Sequence, residues 1–179
     1  TRIRGLLDPL ADRLATRFVE RLAGGFMREC HGDLHLANLV LLDDRVVAFD
    51  CLEFDANLRW IDVQSDVAFL FMDCLVRDRA DFGYAFLDGY LDVAGDYAGL
   101  ELLAFYTVYR SLVRAKVASI EARQAVDPVP REAAHARMRR LLDWSHERLS
   151  RRAGTLYVMN GVSGSGKSHL AARLAAVLP

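Results

Sequence analysis

The sequence predicts an α+β fold, mostly helical with a small β-hairpin sheet, followed by the opening of a separate and incomplete α/β unit. Three observations predict it. Apolar residues recur at helical spacing through most of the chain before Gly154. One stretch, NLVLLDDRVVAFD (38–50), reads as strand, tight turn and strand. After Gly154 the texture changes to a continuous apolar strand, TLYVMN, then a glycine-rich loop, GVSGSGKS, and a short helix to Leu178.

The first element is amphipathic. LLDPLADRLATRFVERLAGG sets Leu6, Leu10, Leu14, Phe18 and Leu22 on one side with Arg and Asp opposite, and Gly24 and Gly25 end it. FMREC is a short strand. The hairpin turns at Asp43-Asp44. From Ile61 onward the pattern is helical: VQSDVAFLFMDCLV and ADFGYAFLDGYLDVAG are two apolar helices, each antiparallel to its neighbour. LELLAFYTVYRSLVRAKVASIEAR is a long helix with Leu102, Phe105, Tyr109, Leu112 and Val113 at core spacing, and VDPVP breaks it. A basic helix, REAAHARMRRLLDWSHERLSRR, follows with an exposed face, and Trp60 and Trp144 read as packing residues. The domain boundary falls near residues 152–154, giving units 1–152 and 153–179.

Composition narrows the function classes. The 179 residues are 53% hydrophobic and 26% charged with net charge −1, enough for one sizeable core and a second small unit. Near-neutral balance offers no electrostatic argument for nucleic acid or an anionic membrane surface, and no apolar run is long enough to span a bilayer. Cys30, Cys51 and Cys74 lack metal-ligand spacing and read as buried thiols in a reducing cytoplasm. The chain opens with Thr1 rather than Met and stops in a helical pattern, which reads as a piece of a longer protein. Oligomeric state is not legible.

Three polar groups in HGDLHLANLVLLDDRVVAFD exceed what folding requires: Asp33, Asn38 five residues on, and Asp50 after the hairpin. Phosphoryl transfer needs a carboxylate to orient the attacking hydroxyl and oxygen ligands to fix Mg²⁺ on nucleotide phosphates. The spacing Asp-x4-Asn matches the catalytic loop of protein kinases, with His31-Gly32-Asp33 in place of His-Arg-Asp and Asp50-Cys51-Leu52 in place of Asp-Phe-Gly. Asp43 and Asp44 are turn residues only.

HGDLHLAN followed by VVAFD resembles the aminoglycoside phosphotransferase or choline-kinase-like family of small-molecule kinases. The resemblance covers the C-terminal lobe, about Leu6 to Arg151, and is strongest between Cys30 and Asp73. It implies a protein-kinase-like fold, ATP and Mg²⁺ as cofactors, Asp33 as catalytic base, Asn38 and Asp50 as metal ligands, and His31 as a structural member of the loop. SDVAFLFMD resembles the family's next helix, whose first Asp braces the loop; Asp66 fits by context and Asp62 by distance from Asp50. The family's N-terminal lobe, with its phosphate-covering loop and acid-paired lysine, has no counterpart in this chain, so little turnover is expected from this stretch alone. His35 contacts substrate or phosphate, or is satisfied by its neighbours. Glu53 is placed to hold substrate or a water beside the metal, or neither.

GVSGSGKS fits G-x-x-x-x-G-K-[ST]. Gly161, Gly164, Ser165 and Gly166 let backbone N–H groups curl around phosphate oxygens, Lys167 reaches the terminal phosphates and Ser168 ligates Mg²⁺. This form resembles gluconokinase and related P-loop kinases over about the last 25 residues. No further strand of a parallel sheet follows, so 155–179 is expected to pack poorly or lean on the last helix and to bind nucleotide weakly or not at all. Arg110 and Arg114, one turn apart, face an anionic substrate or, the favoured reading, solvent with partners such as Glu101 and Glu121; Tyr106 and Tyr109 read as core. The expected function is transfer of the γ-phosphate of ATP to a hydroxyl of a small molecule. The alternative is a silent kinase-like module attached to a P-loop domain that does the chemistry.

Overall fold

The computed structural model describes residues 2–150 and 159–175. Helix α1 (Arg2–Ala23) ends where Gly25 turns left-handed at φ +75°. Its inward line is Ile3, Leu7, Leu10, Leu14 and Phe18, closed by a buried Arg21. Leu6 and Leu22 are exposed, so the buried stripe is rotated from the expected one.

Strand β1 (Met27–Glu29) pairs antiparallel with β4 (Trp60–Asp62), Arg28 opposite Ile61. The expected helix at Ile61 therefore starts two residues later, and Trp60 is exposed rather than packed. Between these strands lie a 3₁₀ turn (Leu36–Asn38), the hairpin β2 (Leu39–Leu42) and β3 (Arg45–Ala48), and the one-turn helix α2 (Ala56–Arg59), capped by Asp55 on Asn57 N–H. The hairpin turn is as read: Asp43 and Asp44 both have positive φ, 47° and 58°, which matches the twist of the flanking strands. Leu41, Leu42, Val46 and Val47 are exposed.

Helix α3 (Val63–Val76) is the centre of the core. One face sends Phe69, Met72 and Val76 against Ala115 of α5 (Leu100–Gln124) and Leu141 of α6 (Pro128–Ser150). The other sends Val67 and Phe71 against Leu87 and Leu91 of α4 (Ala80–Ala94). A helix apolar all round needs neighbours on both sides, and α3 has them. Each fully buried side chain here contributes about 1.5–3 kcal/mol from water exclusion.

The inward line of α5 is Leu102, Val108, Ser111, Ala115, Ala118 and Ala122, whereas Tyr109 is exposed and Tyr106 half-buried. Small residues let α6 approach closely, and Ser111 Oγ donates to the Leu141 carbonyl at 3.1 Å. Trp144 packs on this cluster as expected.

Arg21 joins four elements. It donates to both Asp62 oxygens at 2.6 and 2.7 Å and both Asp96 oxygens at 2.8 and 2.9 Å. Tyr90 of α4 donates to Asp96 and Tyr106 of α5 to Asp62, and Asp62 also caps α3 through Gln64 N–H. A guanidinium satisfies two carboxylates only in this fork geometry.

The expected boundary at 152–154 and most of the expected strand 155–160 lie outside the described residues. α7 (Lys167–Ala175) follows the glycine-rich loop, and the described side chains from Asn160 to Ala171 are exposed apart from a half-buried Lys167.

Candidate functional site

The loop from Cys30 to Asn38 is anchored through its backbone N–H groups. Cys30 N–H donates to the Arg59 carbonyl at 2.8 Å, beside the β1–β4 pair. His31 and Gly32 N–H groups then donate to the two oxygens of Asp66, at 2.9 and 3.1 Å. Of the two acids left open by sequence, Asp66 holds this loop and Asp62 serves Arg21.

Gly32 sits at φ +82°, and a Cβ there would meet the Leu58 carbonyl oxygen at 2.8 Å. From above α3, Arg110 donates to the Gly32 carbonyl at 3.0 Å and to Ser65 O and Oγ at 3.1 Å. Arg110 is thus buried, its guanidinium 4.8 Å from the centre of the Phe69 ring. The solvated reading of Arg110 fails: Glu101 pairs with Arg17 and Glu121 with Arg137. Burial pushes the Asp66 carboxyl up, against the two N–H groups and Arg110, and pushes Arg110 down.

Asp33 follows directly. Asn38 Nδ2 lies 3.0 Å from its carbonyl and 3.2 Å from its Oδ2, so the acid and the amide are in contact. His35 is buried and decides for the reading in which neighbours satisfy it. Its Nδ1 accepts Ala37 N–H at 3.2 Å, and its Nε2 lies 3.3 Å from Asp33 Oδ2 and 3.2 Å from Arg114 Nη1. The hydrogen bond from His35 holds Asp33 below its usual value of 3.8 against desolvation, with Arg114 and Asn38 adding to it. Arg114 is half-buried, not a solvated helix face.

The hairpin closes the site. Phe49 N–H donates to the Asn38 carbonyl at 3.0 Å, which brings Asp50 to the mouth of the loop. His31 Nε2 meets the Phe49 carbonyl at 2.8 Å, and Leu52 N–H meets the His31 carbonyl at 3.0 Å. Those two bonds give His31 its structural part. Asp33, Asp50, Glu53 and Phe54 line one open cleft of about 640 Å³. Asp50 is exposed at φ +60°. Glu53 is on the rim, its backbone carbonyl held by Arg59 at 2.8 Å. Cys51 is also exposed here and Cys30 half-buried, so only Cys74 is the buried thiol expected of all three.

Sequence reasoning missed Arg21 and Asp73, whose Oδ2 accepts Leu36 N–H at 3.0 Å, and gave Arg110 and Arg114 to solvent. Asp73 lies four residues from Arg77 and reads as a surface pair, which it also forms. The arginines have no local signal of burial.

The chain is similar to the uncharacterized protein Rv2004c of Mycobacterium tuberculosis and the uncharacterized protein Mb2027c of Mycobacterium bovis, each 35% identical over 170 residues. The alignment takes in 95% of this chain and 33% of each relative. The chain spans about a third of the curated relatives it matches. No family model matches it, and no solved structure does so significantly.

The glycine-rich loop is a second candidate. Gly164 and Gly166 are left-handed at φ +78° and +81°, and Lys167 Nζ lies 2.8 Å from the Gly161 carbonyl and 2.6 Å from that of Val162. Ser165 Oγ is 3.5 Å from the same ammonium, and Ser168 stands in the first turn of α7. Among the described residues no group of three or more His, Cys, Asp or Glu is placed to hold a metal, and no helix is long and apolar enough to cross a membrane.

Proposed function

We propose that this chain carries the base-and-metal half of an ATP-dependent phosphotransferase of protein-kinase-like fold, acting on a hydroxyl of a small molecule. The observation that carries the reading is the contact of Asp33 with Asn38 inside a loop whose hairpin returns Asp50 to the cleft that Asp33 lines. Asp33 is kept ionised by its neighbours and orients the acceptor hydroxyl.

The residues fit a magnesium ion. Asn38 spends its Nδ2 on Asp33, which leaves its amide oxygen for a cation, and Asp50 offers an exposed carboxylate, both hard oxygen donors. An Mg²⁺ ion held by Asn38 and Asp50 would neutralise charge on the nucleotide phosphates. The rest of the work is positional: Asp66 and Arg110 fix the loop, and His31 ties it to the segment after β3.

A second reading rests on the geometry at Lys167: the glycine-rich loop is a P-loop that binds ATP and does the chemistry, and the kinase-like unit is silent. One experiment separates the two. The complete gene product is screened for phosphate transfer from MgATP to sugars, amino alcohols and aminoglycosides, with Asp33→Asn and Lys167→Ala beside it. Loss with Asp33→Asn alone supports the first reading; loss with Lys167→Ala alone supports the second.

A further inference from the structure

The polar contacts around Asp33 are unequal on its two oxygens. Oδ2 faces both Asn38 Nδ2 at 3.2 Å and His35 Nε2 at 3.3 Å. Among the described residues no hydrogen bond reaches Oδ1, and the side chain is one-third exposed at the cleft. A carboxylate pinned by one oxygen presents the other in a fixed direction.

His35 is built for that pinning. Its ring is buried, tilted against Phe69 with centroids 5.5 Å apart. Nδ1 accepts Ala37 N–H, which leaves Nε2 as the donor nitrogen, facing Asp33. Arg114 reaches from α5, a sequence separation of 79 residues, to stand 3.2 Å from the same Nε2. Its positive charge draws the Asp33 carboxylate toward the His35 side. Asn38 alone leaves the carboxylate free to rotate about one hinge; His35 supplies the second point.

We propose that His35 and Arg114 are positioning residues for the phosphotransfer reaction: His35 and Asn38 occupy Asp33 Oδ2 and Arg114 stands behind His35, so that Oδ1 alone meets the acceptor hydroxyl. The inference rests on the phosphotransferase reading. It assigns to a buried histidine and a helix arginine a part in the rate rather than in nucleotide binding. Misplacing a reacting group by about 1 Å costs on the order of a hundredfold in rate, and loss of one of two anchors is expected to cost part of that.

The test uses the complete gene product in a Lys167→Ala background, with hydrolysis of MgATP as the readout and water as acceptor. His35→Ala lowers kcat about 10- to 100-fold and leaves KM for MgATP within about twofold. His35→Gln, whose amide nitrogen reaches the place of Nε2, restores most of the rate; His35→Asn, which is too short, does not. Arg114→Ala lowers kcat about 3- to 10-fold, and added guanidinium ion at millimolar concentration restores part of it. Arg114 is only half-buried, so this arm stands if a His35 variant fails to fold.

Two results overturn the inference alone: Asp33→Asn abolishes hydrolysis while the His35 and Arg114 variants leave kcat unchanged, or KM rises in step with the fall in kcat and Gln is no better than Ala. If Asp33→Asn leaves hydrolysis untouched, the phosphotransferase reading itself is lost, and the inference with it.

Discussion

Alanine at position 32 places a methyl group where the loop has no room for one. Gly32 holds φ +82°, which costs an L-residue about 1–2 kcal/mol. The new Cβ would stand 2.8 Å from the Leu58 carbonyl oxygen and 3.0 Å from Leu52 Cδ1. The carbonyl is backbone and cannot swing aside, so the loop must give by several tenths of an ångström. Overpacking of this kind costs about 1–3 kcal/mol. The two terms give a destabilisation of about 2–5 kcal/mol for Gly32→Ala. Urea unfolding followed by circular dichroism reads it: with a slope of about 2 kcal/mol per molar, the midpoint falls by about 1–2.5 M. A midpoint within about 0.3 M of the parent would refute the idea that the loop is closed around Gly32. The shift also strains the bond that Gly32 N–H donates to Asp66 and the one its carbonyl accepts from Arg110, which hold the peptide units on either side of that Cα.

Three further outcomes are expected. Arg21→Met leaves Asp62 and Asp96 buried without their cation and destabilises by about 3–5 kcal/mol, while the triple change Arg21→Met/Asp62→Asn/Asp96→Asn recovers much of the loss in the same urea assay. Burial alone would raise Asp96, but Arg21, Tyr90 and Gly99 N–H outweigh it and hold its carboxyl below 3.8. Its stabilisation is therefore complete above 3.8 and is lost as pH falls through the lower folded value. Between about pH 5 and about pH 2 the parent loses stability more steeply than Asp96→Asn, measured as the urea midpoint against pH. Amides of Leu39–Leu42 and Arg45–Ala48 exchange with deuterium at least about a hundredfold faster than those of Phe69–Met72, because the hairpin has no buried face and α3 has no exposed one.

What sequence could and could not disclose follows from the range of the forces involved. The hairpin was legible because Asp43-Asp44 between two apolar runs is a local signal, and the acid–amide spacing of Asp33 and Asn38 lies within one loop. The β1–β4 pair was not, since Trp60–Asp62 adjoins a strongly apolar helix and becomes a strand only by meeting Met27–Glu29. Arg21, Arg110 and Arg114 carry charge at helical spacing, which reads as solvated. Arg21 and Arg110 are removed from water, and Arg114 partly so, by partners far off in sequence: Asp62 is 41 residues from Arg21, the Gly32 carbonyl 78 from Arg110 and His35 79 from Arg114. The choice between Asp62 and Asp66 was of the same kind. Both open α3, and only the tertiary position of the loop tells which one it rests on.

A sheet of two strands has no interior strand, so β2 and β3 each turn an unpaired row of peptide groups outward, flanked by exposed Leu41, Leu42 and Val46. Such a ribbon is a template for another copy of itself. Among the described residues the edges open to a further strand belong to this ribbon and to the β1–β4 pair, not to the helical body. A lysine in place of Leu41 or Val46 is the first change to make when preparing it.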